Sequence, residues 1–249
     1  MLEIIILFLS VILSAILVDR FRLNEKLLQL LLAFSGAYLL TVAFTHIIPN
    51  IFKGNTINYL GYFVLLGFLI QLFIEYLSGG AEHGHGHCDD DHDKHNPEHS
   101  SVRISPYALL IGISIHAFFE GIPFANQFHN HAHLSHTLLV GIVIHKIPIA
   151  VILMSLFLNT NSNKVKNYFL ITLFALAAPL GALLGGYIGV ILNVDIENFY
   201  KIIMAILVGI FLHVSTTILF ESNTTHKFNL LKLIIIFIGI LVAILTNLL

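Results

Sequence analysis

Three residues in the middle of long apolar segments carry side chains that bind metal ions. His116 and Glu120 are four residues apart in segment 106–125, and His145 lies in the next apolar segment, 136–158. On a helix, a spacing of four places two side chains on one face, about one turn apart. Imidazole and carboxylate together suit zinc and other late first-row divalent ions. We therefore predict that these three side chains hold a divalent ion.

The depth of the three residues supports this prediction. His116 is ten residues into its segment, and His145 is nine residues into the next one, counted from the opposite end. At about 1.5 Å per residue, both imidazoles reach a similar depth. A charge at the centre of a bilayer costs roughly 2.5–3.5 kcal/mol, so Glu120 needs a function or a partner there. The alternative to metal binding is a hydrogen bond between helices, from His to Glu or from His to Ser.

Lys146 directly follows His145 and adds a cation to the same segment. A protonated ammonium neither binds a metal nor lies in lipid cheaply, so it must find Glu120, water or a carbonyl group. In one interpretation, Lys146 pairs with Glu120 or extends to the membrane surface. In the other, it supplies a fixed positive charge where a second metal ion would otherwise bind, because like charges repel at short range.

Further signals surround these residues. Pro123 and Pro148 lack the N–H groups that would bond the carbonyls of Phe119 and Ile144, so both carbonyls are expected to be freed beside the ligands. Two more histidines, His46 and His213, are candidate steps on an ion path, together with Lys146. Each of these histidines is alternatively a hydrogen-bonded polar residue inside the protein.

The elements that must position these residues are membrane-spanning helices. The 249 residues are 57% hydrophobic and only 10% charged, with a mean hydropathy of +0.90, whereas soluble domains have about 25% charged residues. Runs of about 20 apolar residues cross a bilayer as helices. Eight such runs are present, at 2–18, 27–48, 57–77, 106–125, 136–158, 167–192, 199–221 and 228–249. We predict an all-α polytopic membrane protein with eight transmembrane helices in one domain, residues 1–249.

Lysine and arginine residues predict the orientation of the chain. Cytoplasmic loops carry an excess of these residues. The loops after spans two, four and six contain only two of them, Lys53 and Lys201. The loops after spans one, three, five and seven contain nine, namely Arg20, Arg22, Lys26, Lys94, Arg103, Lys164, Lys166, Lys227 and Lys232. Both termini are therefore expected on the non-cytoplasmic side. The start of the chain, Met1-Leu2-Glu3, has no basic residue, so we expect the first run to be retained as a helix.

Two loops are rich in histidine. Residues 78–103, between spans three and four, form a low-complexity stretch with His83, His85 and His87 beside Cys88, and we expect a flexible cytoplasmic loop there. The external loop between spans four and five carries His129, His131, His133 and His136. The irregular spacing argues against a closed structural zinc site and fits loose metal capture. A solvated linker is the alternative for residues 78–103.

Together these features resemble the ZIP family of zinc- and iron-regulated metal transporters over essentially the full length of the chain. The matching motifs are His116-x3-Glu120-Gly121 in span four, His145-Lys146-x-Pro148-x-Ala150 in span five, Ala178-Pro179-x-Gly181 in span six and His46-Ile47-Ile48-Pro49 in span two. The resemblance implies a 3+2+3 arrangement, in which spans one to three and six to eight form inverted repeats around spans four and five. It also implies alternating access at the interface between the repeats.

The resemblance also bears on the number of metal ions. In family members with a two-metal centre, the resemblance places the first site at His116, Glu120, His145 and Ile149, where Ile149 replaces a carboxylate. The second site would need ligands at the positions of Ala117, Lys146 and Ala178, which are two apolar residues and a lysine in this chain. The resemblance therefore implies a mononuclear site of His116, Glu120 and His145. Water or another side chain would supply the fourth ligand.

We therefore expect a transporter that takes up a divalent metal ion, and no enzymatic activity. Zinc is the first choice of substrate, with iron or manganese as alternatives, and no resident cofactor is expected. The expected partners are the metal ion and the lipid bilayer of the cell (inner) membrane, without nucleic acid; a homodimer is one option for the assembly. The alternative functions are an intramembrane zinc-dependent hydrolase and a non-transporting metal buffer or sensor. Metal occupancy should fall in acid, because the ligands bind when deprotonated.

Overall fold

Long helices account for nearly all of the residues that the computed structural model describes. The structure describes residues 2–21, 24–53, 59–78, 105–125, 132–160, 163–191, 195–220 and 230–248. Eight long helices and no strand are found in these ranges. The helices are α1 (Leu2–Arg20), α2 (Glu25–Val42), α3 (Leu60–Ser78), α4 (Pro106–Gly121), α5 (Ala132–Asn159), α6 (Lys164–Ile191), α7 (Ile196–Phe220) and α8 (Leu230–Leu248).

The helices have the length and composition of membrane spans. Seven of the helices in the described ranges are long and apolar enough to cross a bilayer, and the apolar stretch of α8 is shorter, at Leu230–Thr246. Large apolar side chains such as Leu65, Phe73 and Phe237 point outward, where lipid replaces water as the surrounding solvent. The prediction of an all-α polytopic membrane protein is confirmed. The chain is an integral, multi-pass membrane protein.

Helix contacts show which helices are neighbours. One group contains α1, α4, α5 and α6, which pack as α4 on α6, α1 on α5 and α1 on α6. The other contains α2, α3, α7 and α8, which pack as α3 on α7, α2 on α8 and α2 on α7. Contacts of α2 with α5 and of α3 with α4 join the two groups. The helices that carry the predicted ligands therefore contact the other group: α4 contacts α3, and α5 contacts α2.

The neighbour relations repeat within the molecule. The repeat relates helices in pairs: α1 to α6, α2 to α7, α3 to α8 and α4 to α5. When each helix is replaced by its pair member, the α3–α7 contact becomes the α8–α2 contact, and the α4–α6 contact becomes the α5–α1 contact. Both members of each converted pair are among the main helix contacts. The exchanged helices are an odd number of spans apart in the chain. These two pairs of contacts are compatible with the inverted repeats that the resemblance implies, which stay a prediction.

Glycines allow the closest helix approaches. A Cβ atom at Gly121 would overlap the backbone carbonyl of Ala178, and one at Gly181 would overlap that of Phe118. The same reciprocal arrangement joins α3 to α7, where Gly67 lies on the backbone of α7 and Gly209 on that of α3. Because Gly121 follows Glu120 directly, this contact brings α6 close to the turn of α4 that carries the predicted ligand.

Two helix ends depart from regular α geometry beside prolines. After α2, a π-helical segment at Ala43–Ile47 leads into a short α-helical segment, Ile48–Ile51, which contains Pro49. After α4, the chain tightens into a 3₁₀ turn at Ile122–Phe124, and the N–H of Ile122 donates to the carbonyl of Phe119. The prediction that Pro123 frees the Phe119 carbonyl is therefore wrong. The tighter turn supplies a donor from the residue before the proline.

Candidate metal centre

The three predicted ligands meet in the interior. His116, Glu120 and His145 each offer one ligand atom, and the three atoms lie within 4.8 Å of one another. His116 Nε2 lies 3.2 Å from Glu120 Oε1. The two imidazole rings meet edge to face, with their centroids 5.9 Å apart. All three side chains are buried. This spacing is compatible with one ion bound by two imidazoles and a carboxylate.

The local sequence explains how the cluster forms. The spacing of four places His116 and Glu120 on the same face of α4, and that face meets α5, which supplies His145. Ala117 and Ala178 lie at positions that the resemblance associates with a second metal ion, and Ile149 lies at a position of the first site. None of the three carries a ligand atom, and all three residues are buried. The described donor set of the cluster is therefore two imidazoles and one carboxylate.

Lys146 completes the charge arrangement of the cluster. Its Nζ donates to Glu120 Oε2 at 2.5 Å, and the side chain is only 2% exposed. The ammonium also lies 5.6 Å from the centroid of the Phe174 ring. Of the interpretations left open, pairing with Glu120 is found, whereas extension to the membrane surface is contradicted by the burial. One carboxylate oxygen of Glu120 thus faces a cation and the other faces His116.

Two polar side chains that the sequence analysis did not single out touch the ligand imidazoles. Gln71 Oε1 of α3 lies 3.1 Å from His116 Nδ1, and Ser35 Oγ of α2 lies 3.2 Å from His145 Nδ1. Both side chains are fully buried. Gln71 had a usable signal, because a polar amide inside an apolar run needs a partner. Ser35 had no such signal, because serines are common in membrane helices and His145, which it contacts, belongs to a distant part of the chain.

The two candidate path histidines lie outside the three-residue cluster. His213 Nδ1 is 3.3 Å from Glu75 Oε2 of α3, and the His213 ring meets Phe68 edge to face at 4.8 Å between centroids. His46 is buried in the π-helical segment, and its carbonyl accepts a hydrogen bond from Asn50 Nδ2 at 2.7 Å. Glu75 was missed by the sequence analysis because it lies near the end of its apolar run.

The histidine-rich loops lie largely outside the described residues. His83, His85 and His87, and with them nearly all of the predicted loop 78–103, fall in the gap between residues 78 and 105. His129 and His131 fall in the gap between residues 125 and 132. His133 belongs to α5, but its side chain is not among those described.

Comparisons with known proteins assign the family. The family model of the ZIP Zinc transporter matches residues 77–247. Protein zntD of Dictyostelium discoideum is 28% identical over 166 residues, which cover 64% of this chain and 24% of that protein. Zinc transporter ZIP9-B of Xenopus laevis is 27% identical over 169 residues, which cover 65% of this chain and 52% of that protein. The aligned part thus spans about a quarter and about half of the length of these two relatives. Since the family model matches more than half of the chain, the chain belongs to the ZIP zinc transporter family.

Proposed function

We propose that this protein carries a divalent metal ion, zinc in the first place, across the cell (inner) membrane. The observation that carries the proposal is the convergence of His116, Glu120 and His145, whose ligand atoms lie within 4.8 Å of one another inside a bundle of membrane helices. Family membership supports it, and the two relatives named above include one called a zinc transporter. In this proposal the ion is the substrate, and iron or manganese are alternatives to zinc.

The contact between His116 and Glu120 explains why a cation would bind there. Gln71 Oε1 can only accept a hydrogen bond, so His116 Nδ1 donates to it, and Nε2 of the neutral ring carries a lone pair. That lone pair faces Glu120 Oε1 at 3.2 Å. Two acceptors at this distance repel unless a cation lies between them. A metal ion or a proton meets this need, and competition between them predicts weaker metal uptake in acid.

The proposed site holds one ion. The Lys146 ammonium bound to Glu120 Oε2 supplies a positive charge that opposes a second metal ion nearby. The apolar side chains of Ala117 and Ala178 supply no ligand for it. Water or another side chain would supply the fourth ligand of the single ion; catalytic zinc sites combine three protein ligands with a water in the same way.

The proposed path crosses the membrane through this site. Histidines at the external mouth, among them His129, His131 and His133, would collect the ion, and the cytoplasmic histidine loop would receive it. His213 beside Glu75, together with His46, supplies further polar groups for the path. Alternating access would open the site to one side at a time, at the interface where α2 and α3 meet α5 and α4.

Zinc uptake into liposomes tests the proposal. Liposomes with the purified protein should accumulate zinc above the level of empty liposomes, and Glu120→Ala should reduce saturable uptake to that level. Glu120→Gln, which keeps the side-chain shape, guards against a folding defect and should also abolish uptake. Glu197→Ala is the matched control, because Glu197 is an exposed acid paired with Lys201 on α7. No uptake by the unmodified protein, or full uptake by Glu120→Gln, would contradict the proposal.

The alternative functions make different predictions. A metal buffer or sensor would depend on the loop, so a transporter should retain zinc uptake when residues 82–99 are deleted. An intramembrane hydrolase needs a further general acid or base at the metal; Lys146, the additional ionisable side chain described at this cluster, is paired with Glu120. Competition of zinc uptake by iron, manganese and cadmium would establish the preferred ion.

A further inference from the structure

Ser35 and Gln71 form hydrogen bonds to the two ligand imidazoles from helices that supply none of the three ligands. Ser35 lies on α2 and Gln71 on α3, whereas the ligands lie on α4 and α5. Both contacts are made by the Nδ1 atoms of the imidazoles, at 3.2 Å for Ser35 and 3.1 Å for Gln71. Each imidazole therefore turns its other nitrogen, Nε2, away from these partners.

The hydrogen-bond directions assign the proton on each ring. The Ser35 hydroxyl has one proton, and it donates that proton to the carbonyl of Leu32 at 2.9 Å. Ser35 Oγ must therefore accept from His145, which places a proton on His145 Nδ1. Gln71 Oε1 has no proton, so His116 Nδ1 is likewise the donor. Both neutral rings then carry the lone pair on Nε2.

We propose that Ser35 and Gln71 are positioning residues that hold His116 and His145 in the one tautomer and ring orientation that binds a metal through Nε2. The inference rests on the proposed metal site. A partner on the second ring nitrogen fixes the tautomer and orientation of a metal-binding histidine, and losing it typically costs about 10–100-fold in metal affinity. In this assignment the lone pair of His116 Nε2 faces Glu120 Oε1, 3.2 Å away, and a bound cation would lie between the two atoms.

Substitutions of Gln71 separate positioning from simple packing. Gln71→Leu removes the acceptor, whereas Gln71→Glu keeps an oxygen that accepts from His116 Nδ1. Packing alone would favour Leu over Glu, because a buried carboxylate costs more than an apolar side chain. Positioning predicts the opposite order for zinc affinity, with a loss of about 10–100-fold for Gln71→Leu and recovery of most of it in Gln71→Glu. Gln29→Leu on the exposed face of α2 is the matched control.

Ser35 provides a second, independent pair of variants. Ser35→Ala removes the hydroxyl that accepts from His145 Nδ1, and Ser35→Thr keeps it. We expect zinc affinity to fall by about tenfold or more in Ser35→Ala and to be restored in large part by Ser35→Thr. A loss that is equal in both variants would indicate sensitivity to any change at this buried position, and it would overturn the assignment for Ser35.

The experiment is a titration of the purified protein with zinc, in a form lacking residues 82–99 so that the histidine loop does not contribute. His116→Ala serves as the reference for loss of the site, and melting temperatures are measured beside the affinities. If His116→Ala binds zinc as well as the parent does, the proposed metal site itself is wrong. If His116→Ala loses zinc while Gln71→Leu and Ser35→Ala bind like the parent, the site stands and the positioning proposal is overturned.

Discussion

Glu120 has a different partner on each of its carboxylate oxygens. Oε2 accepts from Lys146, and Oε1 faces His116 Nε2. The carboxylate is therefore neutralised by a fixed cation before any metal ion arrives. We expect this arrangement to hold zinc less tightly than a site with two uncompensated carboxylates, because the ion adds net positive charge to the interior.

Lys146→Met tests this charge balance. Removing one partner of a buried ion pair leaves the other charge uncompensated and typically costs about 3–5 kcal/mol. The variant should therefore melt at a lower temperature than the parent in the presence of a chelator. Zinc should raise the melting temperature of the variant by more than it raises that of the parent. The measurement is thermal unfolding in detergent, with and without zinc.

The control for this prediction is a pair of the same type near the surface. Lys164 contacts Asp19 Oδ1 at 3.0 Å, but the lysine side chain is 69% exposed. Exposed ion pairs contribute about 0–1 kcal/mol, so Lys164→Met should change the melting temperature little. Equal effects of the two lysine substitutions would argue against a tightly coupled Glu120–Lys146 pair.

At the scale of elements, the approach of α4 to α6 holds Glu120 in place. Gly121 and Gly181 each lie against the backbone of the opposite helix, where a Cβ atom has no room. Backbone cannot move aside as a flexible side chain can. One contact between α4 and α6 thus explains the glycines of two motifs. Gly121 of His116-x3-Glu120-Gly121 lies on the α4 side of this contact, and Gly181 of Ala178-Pro179-x-Gly181 lies on the α6 side.

Gly121→Ala should therefore separate α4 from α6 and displace Glu120. Overpacking of this kind typically costs about 1–3 kcal/mol, and we expect a lower melting temperature together with weaker zinc binding. Gly186→Ala, on α6 itself, is the control, because the nearest atom to its added methyl group would be Ala125 Cβ at an ordinary 3.8 Å. If both substitutions had the same small effect, the close helix approach would not determine the site.

At the scale of the whole molecule, much of the arrangement could be predicted from the sequence. Hydropathy predicts the helices. The spacing of four residues between His116 and Glu120, and the similar depth of His116 and His145 in their segments, predict that the three side chains meet. Ser35 was missed because its contact depends on which helices are neighbours, and α2 and α5 are not consecutive in the chain. Gln71 had a usable signal as a polar residue inside an apolar run, and Glu75 was missed because it lies near the end of that run. The Phe119 carbonyl was predicted wrongly because proline can end an α-helix in a tighter turn.

The predicted orientation can be tested with the single cysteine of the chain. Cys88 lies in the histidine-rich loop, which the lysine and arginine distribution predicts to be cytoplasmic. A membrane-impermeant maleimide should label Cys88 only after the membrane is opened. In a Cys88→Ser background, Lys53→Cys, which is exposed after span two, should be labelled in intact cells. If Cys88 is labelled in intact cells and Lys53→Cys is not, the predicted orientation is wrong and the proposed direction of the path is reversed.

The number of zinc ions bound per chain tests the central claim most directly. The protein without residues 82–99 should bind one zinc ion with high affinity, counted by elemental analysis after equilibrium dialysis, because three ligands and the Lys146 charge leave room for one. Glu120→Gln and the His116→Ala/His145→Ala double variant should reduce the count to near zero. Two ions per chain, or one ion that persists in the double variant, would contradict a mononuclear site built from His116, Glu120 and His145.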